Sequence, residues 1–353
     1  MLFSIDMYDK LISLENLFLS WNEFKREKQN KIDVHAFERF LEDNIFALQE
    51  ELRTGSYRHG KYKTFFINDP KPRIISKPTV KDRIVHHAVF KELENIFDPG
   101  FIYHSYSSRK ERGTHLAVNN LAKYLRRISK NYHCPVYALK CDIRKFFASI
   151  EHEKLLQLIK RKISDERFLG LIKEVVDSFS TPIDKLTLTI PINSLEKRGI
   201  PLGNVTSQIF ANIYLNELDW FIKRKLKAKN YFRYADDLII VRESVPYLEN
   251  VLKQIDAFLK RELKLELHPR KVEIRKFQQG LDFLGYVVLP HHIVLRTKTK
   301  RRMLKKIKNK YEEVKNESLT VESFNQTIQS YSGMLAHCNG KDIKERINRI
   351  IKG

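Results

Sequence analysis

Cysteine is scarce: Cys134, Cys141 and Cys338 are the only three in 353 residues. Their spacing offers neither a metal knuckle nor a disulfide framework. A reducing, cytoplasmic setting is therefore expected. Long apolar runs are also missing. The longest, such as Phe283 to Pro290, fall far short of the roughly 20 residues of a spanning helix, so no membrane is expected as a partner. Asp6, Asp9 and Glu15 interrupt the apolar residues near the start, which argues against a signal peptide. No repeat of fixed period is found. Acidic residues are in the minority, with 43 Asp and Glu against 65 Lys and Arg, a net charge of +22. A chain so charged repels itself and is best tolerated against a polyanion. Nucleic acid is the first reading, because each neutralised phosphate releases a counterion. A generally basic soluble protein is the alternative.

What is present reads as interleaved helices and strands. Residues 1–55 are helical: Leu11, Leu14, Leu17 and Phe18 recur at helical spacing, as do Phe37, Phe40, Leu41, Ile45, Leu48 and Leu52, and Thr54-Gly55 ends the run. Apolar residues from Tyr62 to Ile75 suggest two strands joined by a turn over Asn68 to Pro72. A helix follows over Val80 to Phe97, closed by Asp98-Pro99-Gly100. Val136 to Cys141 reads as a strand ending on Asp142, with two helical stretches through about Ser180 and another over Gly203 to Leu226. Residues 231–242 form a hairpin pattern, Val251 to Leu263 a helix, and Phe283 to Leu289 a strand. After Leu295 the chain is basic and helical. The fold class is α+β, with helical material at both ends.

Two acidic sites stand at strand ends. One is Asp142; the other is Asp236-Asp237 at the tip of a hairpin. If those strands sit side by side, the carboxylates converge, which is costly unless cations neutralise them. Mg²⁺ is a hard ion that takes carboxylate and phosphate oxygens, with Mn²⁺ as a possible substitute. Two such ions, about 3.5–4 Å apart, activate an attacking hydroxyl and stabilise a leaving oxygen. That is the chemistry of nucleotidyl transfer. Read alone, Asp-Asp between apolar runs is equally an ordinary turn, and Asp142 equally a helix cap.

Four segments in order change the weighting. Tyr234-Ala235-Asp236-Asp237, Asp142-Ile143-Arg144-Lys145-Phe146-Phe147, Gly199 to Gln208, and Phe283-Leu284-Gly285-Tyr286 resemble the successive motifs of reverse transcriptases, over about residues 30–340. The resemblance implies a right-hand architecture. It assigns 1–55 to an N-terminal helical extension, 56–135 to fingers, 136–288 to palm with a fingers-related insertion near 150–200, and 289–353 to a basic helical thumb.

Roles follow from the same resemblance. Asp142 and Asp236 are the implied metal ligands, with the Ile143 carbonyl completing one site and Asp237 a weaker or outlying acid. Phe147 stands where the family keeps an aromatic ring under the sugar, which clashes with a 2′-hydroxyl; Phe146 and Phe147 could instead both be core. Arg73 and Lys81 are implied to hold the incoming deoxynucleoside triphosphate, with Arg83 beside them, although a solvated basic loop is the plainer reading. Lys271 is implied to protonate pyrophosphate. Arg109, after Ser105-Tyr106-Ser107-Ser108, is implied to touch template phosphate. Phe283, Leu284, Gly285 and Tyr286 are implied to grip the primer. Nine Lys or Arg between Arg296 and Lys310 fit a helix tracking an RNA–cDNA duplex by its backbone.

The motif over Gly199 to Gln208 departs from the common form. Most reverse transcriptases carry Gln-Gly, three residues, then Ser-Pro; here Leu202-Gly203 and Ser207-Gln208 stand in those places. This form resembles the enzymes of diversity-generating retroelements, which copy a template RNA with frequent errors opposite adenine. Leu202, Gly203 and Gln208 thereby join the expected substrate-binding set. Gly203 permits close backbone approach, and Leu202 cannot supply the hydrogen bond that a Gln would. Such enzymes work with a small basic accessory protein that forms a pentamer, so that partner is implied. A group II intron-like or other bacterial reverse transcriptase of ordinary fidelity is the runner-up, and an RNA-binding protein retaining the fold is the alternative of another class.

Overall fold

The computed structural model describes residues 7–68, 72–182 and 196–352. In chain order the elements are α1 (Met7–Leu11), α2 (Leu14–Lys25), α3 (Ile32–Glu38), α4 (Leu41–Arg53), β1 (Lys63–Ile67), β2 (Arg73–Lys77), α5 (Val80–Phe97), α6 (Thr114–Ile128), β3 (Tyr137–Asp142), α7 (Phe146–Ser149), α8 (His152–Lys160) and α9 (Glu166–Asp177). There follow α10 (Val205–Trp220), β4 (Tyr231–Tyr234), β5 (Asp237–Arg242), α11 (Val245–Glu262), β6 (Glu273–Lys276), β7 (Leu281–Phe283), β8 (Tyr286–Leu289), β9 (His292–Leu295), α12 (Thr297–Lys315), α13 (Val321–Leu335) and α14 (Lys341–Lys352). The mixture of helix and sheet is the expected one. No helix among the described residues is long and apolar enough to cross a membrane.

The residues group into two compact units that exchange the chain after Arg109, Cys141, Lys227, Leu252 and Lys271. In the first unit, α5 is the hub. Its Thr79 cap accepts a hydrogen bond from the Asp82 amide, and Val85, Ala88, Val89 and Leu93 line a buried face. That face packs against α2, through Leu17, Trp21 and Phe24, and against α10. Burying an aliphatic side chain of this kind contributes about 1.5–3 kcal/mol. α10 is buried nearly all round, as expected of a helix without a polar face.

In the second unit, a four-stranded sheet has the order β4-β5-β3-β6. β3 pairs antiparallel with β6, and β4 with β5. A three-stranded meander, β7-β8-β9, lies in the same unit. α6 packs on β4 and β8, and α12 packs on α13 and α14. The Tyr286 hydroxyl donates to the Met334 carbonyl at 3.0 Å, fastening β8 to α13. Burial pushes that phenol up to about 12, so it stays a donor.

Three local expectations change. The helical run from Phe37 to Leu52 is two helices, because Phe40 is the N-cap of α4 and stands exposed. α11 starts at Val245 rather than Val251. The expected strand Phe283 to Leu289 is a hairpin: Phe283 pairs with Tyr286, and Leu284 (φ +52°) and Gly285 (φ +89°) form a two-residue turn. Positive φ at both central residues matches the twist of a tight hairpin, and an unbroken apolar run concealed it. Of the turn expected over Asn68 to Pro72, residues 69–71 lie outside the described residues.

Two imidazoles, the buried His86 and the half-buried His87, make this fold sensitive to acid. Burial, reinforced by His59, pushes His86 down to about 3. Burial and the nearby Lys28 push His87 down to about 4. Both rings are neutral in the folded chain and gain a proton on unfolding below about pH 6.5. Stability from these groups is therefore complete above that pH and declines as the pH falls toward 4 and 3, by about 1.4 kcal/mol per pH unit for each group. Urea midpoints measured at pH 7.5 and pH 5 are expected to show a clear drop at the lower pH; equal midpoints contradict the assignment.

Candidate active site

In the first unit the stretch after β3 is held in a clamp. Ile143 forms an antiparallel bridge with Leu267. The bonds of this bridge run through its neighbours: the His268 amide donates to the Asp142 carbonyl at 2.7 Å, and the Arg144 amide to the Glu266 carbonyl at 2.8 Å. The Ile143 carbonyl is left out of that ladder. The Asp142 carboxylate is largely buried at the end of an apolar strand and forms an ion pair with the Lys271 ammonium. Lys271 is half exposed, so a cation from the surface reaches in to a carboxylate that burial alone would disfavour. The sequence reading paired Lys271 with pyrophosphate and did not foresee this contact.

Phe146 and Phe147 differ in burial. Phe146 is core, while Phe147 is half-buried against it, ring centroids 5.3 Å apart. The Ile200 amide donates to the Phe147 carbonyl at 2.8 Å, and the Gly199 amide to the Ile150 carbonyl at 2.7 Å. The motif that begins at Gly199 thus lies directly on the segment that carries the ring. Further along, the Ser76 amide of β2 donates to the Leu202 carbonyl at 3.1 Å. Gly203 has φ +113°, and a Cβ there would stand 2.8 Å from Ile75 Cγ2. Gln208 is exposed, and Ser207 donates its hydroxyl to the Pro201 carbonyl at 2.6 Å. Arg73, Leu202 and Gly203 therefore belong to one local assembly of β2 and the start of α10.

Lys81 is engaged elsewhere, 2.8 Å from a Glu51 carboxylate oxygen. Such a partly exposed pair is worth about 1 kcal/mol at most and yields readily to a more highly charged partner. Arg109 is a correction. Its guanidinium donates to the Asp98 carboxylate and to the carbonyls of Ile102 and Ser105, at 2.9 and 3.0 Å, and is buried. Its donors hold the turn after α5 together, so it is a structural arginine and not a phosphate contact.

In the second unit, Tyr234 pairs with Asp237, so the turn residues are Ala235 and Asp236 rather than the two aspartates. Ala235 sits at φ +51°, a conformation that costs a non-glycine residue about 1 kcal/mol. The fully buried Arg233 donates to the Ala235 carbonyl at 3.3 Å. An arginine inside the apolar run Tyr231 to Tyr234 was the available sequence signal for that support. Phe283 and Tyr286 are core, leaving Leu284-Gly285 as the accessible tip of the expected primer grip. That tip borders a cleft of about 420 Å³ that Arg112, Thr114 and Thr299 also line.

Sequence reading also missed Arg198, which is almost wholly buried. It donates to the carbonyls of Ser149 and Lys264, at 3.3 and 3.2 Å, and to Glu196 at 2.6 Å. Its place in Lys197-Arg198-Gly199 resembles a surface basic run. Among the described residues, no group of three or more His, Cys, Asp or Glu is arranged to hold a metal ion.

Two glycines separate strain from space. Gly203→Ala is expected to destabilise by about 1–3 kcal/mol, through positive φ and the collision with Ile75. Gly170→Ala, inside α9 with open space around the added methyl, is expected to stabilise by roughly 0.5–1 kcal/mol. Urea titrations of both variants check the pair, and shifts of the same sign contradict the reading.

Comparisons with known proteins give the family. Protein YkfC of Escherichia coli is 25% identical over 273 residues, covering 68% of this chain and 69% of that protein. The group II intron-encoded protein LtrA of Lactococcus lactis is 25% identical over 323 residues, 89% of this chain. The match spans only 52% of LtrA, about half its length. Apo telomerase from Candida tropicalis has a similar fold, with a TM-score of 0.52 at 12% identity over 84% of this chain and 58% of that one. The family model described as reverse transcriptase (RNA-dependent DNA polymerase) matches residues 67–288, well over half of the chain. The chain belongs to the reverse transcriptase family.

Proposed function

We propose that this chain is the RNA-directed DNA polymerase of a diversity-generating retroelement, copying a template RNA with errors concentrated opposite adenine. The observation that carries this reading is Leu202. It is an apolar, half-buried residue beside the exposed Gly203, where most of the family carries Gln. Around it, 56–135 serve as fingers, 136–288 as palm and 289–353 as thumb, after an N-terminal extension over 1–55. The basic α12 tracks the RNA–cDNA duplex, and the Leu284-Gly285 tip meets the primer strand. A small basic pentameric accessory protein is the proposed partner.

Asp142, Asp236 and the Ile143 carbonyl are the proposed ligands for two Mg²⁺ ions, with Asp237 alongside. Support comes from the sheet order, in which the strand ending on Asp142 neighbours the strand beginning on Asp237. Two hard oxygen donors and a carbonyl kept out of its ladder suit Mg²⁺ or Mn²⁺. When bound, such ions lower the barrier to attack of the primer 3′-hydroxyl on the α-phosphate. The residues of the chain do the rest. Arg73 and Lys81 hold the triphosphate, a role for cations where charge develops. Phe147 lies under the sugar and excludes a 2′-hydroxyl. Lys271 presents its Nζ proton to the leaving pyrophosphate. Leu202 gives only apolar contact near the templating pair, so a mispair loses little there; discrimination is steep only where a polar group would be left unpaired.

A group II intron-like enzyme of ordinary fidelity is the second reading, favoured by the match to LtrA over 89% of this chain. Two variants decide. Asp236→Ala is expected to reduce Mg²⁺-dependent cDNA synthesis on a primed RNA by on the order of a thousandfold, with RNA binding kept within about twofold. Full residual synthesis removes Asp236 from the metal site. Leu202→Gln is expected to lower misincorporation opposite template adenine, read by sequencing the cDNA. An unchanged error spectrum leaves the ordinary-fidelity reading in its place.

A further inference from the structure

A chain of buried polar groups crosses the first unit and ends in the first turn of α10. The Thr206 hydroxyl lies 2.6 Å from His86 Nδ1. His86 Nε2 lies 3.0 Å from His59 Nε2. His59 Nδ1 lies 2.6 Å from the Gly60 carbonyl. Thr206 and His86 are almost completely buried, and so is the His59 side chain. The Gly60 carbonyl can only accept, so His59 carries its proton on Nδ1. With His86 neutral and donating from Nε2 to His59 Nε2, His86 Nδ1 accepts from Thr206. This arrangement satisfies every contact and runs in one direction from Thr206 to Gly60.

Neighbouring groups hold this order. Asp82 is saturated by the Tyr57 hydroxyl at 2.8 Å, the Thr79 hydroxyl at 2.6 Å and the Gly60 amide at 3.2 Å. It stands 3.9 Å from His59 Nδ1, beyond hydrogen-bonding reach. Tyr62 stacks on the His59 ring at 4.8 Å and accepts from Asn204 at 3.3 Å. Asn204 is the N-cap residue of α10, yet its side chain makes no cap bond. The start of α10 is therefore fastened from outside, by Tyr62 and His86, instead of by its own cap. Leu202 and Gly203 immediately precede this fastened turn.

We infer that Thr206, His86 and His59 form a positioning relay that fixes Leu202 and Gly203 for nucleotide selection without touching substrate. The inference rests on the polymerase reading above. Burial keeps His86 neutral at working pH, so the relay holds its direction. A buried hydroxyl whose partner must accept has no substitute from water, so losing it releases the turn while leaving the carboxylates untouched.

The test compares Thr206→Val, which keeps the shape and loses the hydroxyl, with Thr206→Ser, which keeps the hydroxyl. In primed RNA-templated synthesis by the full chain, Thr206→Val is expected to raise the deoxynucleotide KM about five- to tenfold, with kcat within about twofold. Thr206→Ser is expected to stay near the wild type. Nitrogen-15 spectra of histidine-labelled wild-type protein at pH 7.5 are expected to show one neutral Nδ1–H and one neutral Nε2–H ring whose signals move in Thr206→Val. Equal KM values for Val and wild type, a Ser variant as impaired as Val, or reversed tautomers each overturn the relay. Wild-type protein that makes no cDNA overturns the polymerase reading instead. The two failures are told apart because the tautomers are read without activity.

Discussion

A carboxylate at the end of a buried strand needs a positive partner, and Asp142 imposes that need on this chain. Desolvation disfavours the charged form, so an ionised Asp142 requires compensating charge close by. In this structure the compensation comes from Lys271, brought there by the antiparallel bridge between Ile143 and Leu267. The same bridge fixes the backbone on both sides of Ile143, the residue after Asp142. A net charge of +22 is most tolerable against a polyanion.

The second organising feature is polar satisfaction in places where the sequence reads as plain core or plain surface. Arg198 and Arg109 are basic residues that spend their donors on carbonyls and carboxylates inside the first unit. Arg233 does the same for the hairpin turn in the second. Burying an arginine costs several kcal/mol unless its donors are met, so each marks a loop whose shape has to be exact to within a hydrogen bond. Those loops carry the motif residues: Gly199 after Arg198, Ala235 and Asp236 after Arg233. The histidine relay beside α10 is the neutral version of the same device.

Much of this was legible along the chain. The end of α5 was read from Asp98-Pro99-Gly100, because stop signals are local. The hairpin around Asp236 was read from two apolar runs, although its turn falls one residue earlier than two aspartates suggested. The Leu284-Gly285 turn was not legible, since Leu is a poor advertisement for positive φ. Arg109 was misread because a basic residue after a serine-rich run signals phosphate only if it is unpaired, and its pairing with Asp98 spans eleven positions.

The sequence by itself determined the family and the reaction class, because four ordered motifs and their residue types do not depend on knowing which groups touch. It also determined the helix and strand content, through periodicity. Tertiary structure alone decided which cations are available. Lys271 on Asp142, Lys81 on Glu51 and Arg109 on Asp98 are contacts between residues far apart in the chain or turned by a local loop. The same holds for the tautomers of His59 and His86, which are set by which oxygen faces which nitrogen. Side-chain identity states what a residue can donate or accept; only folding states what it is offered.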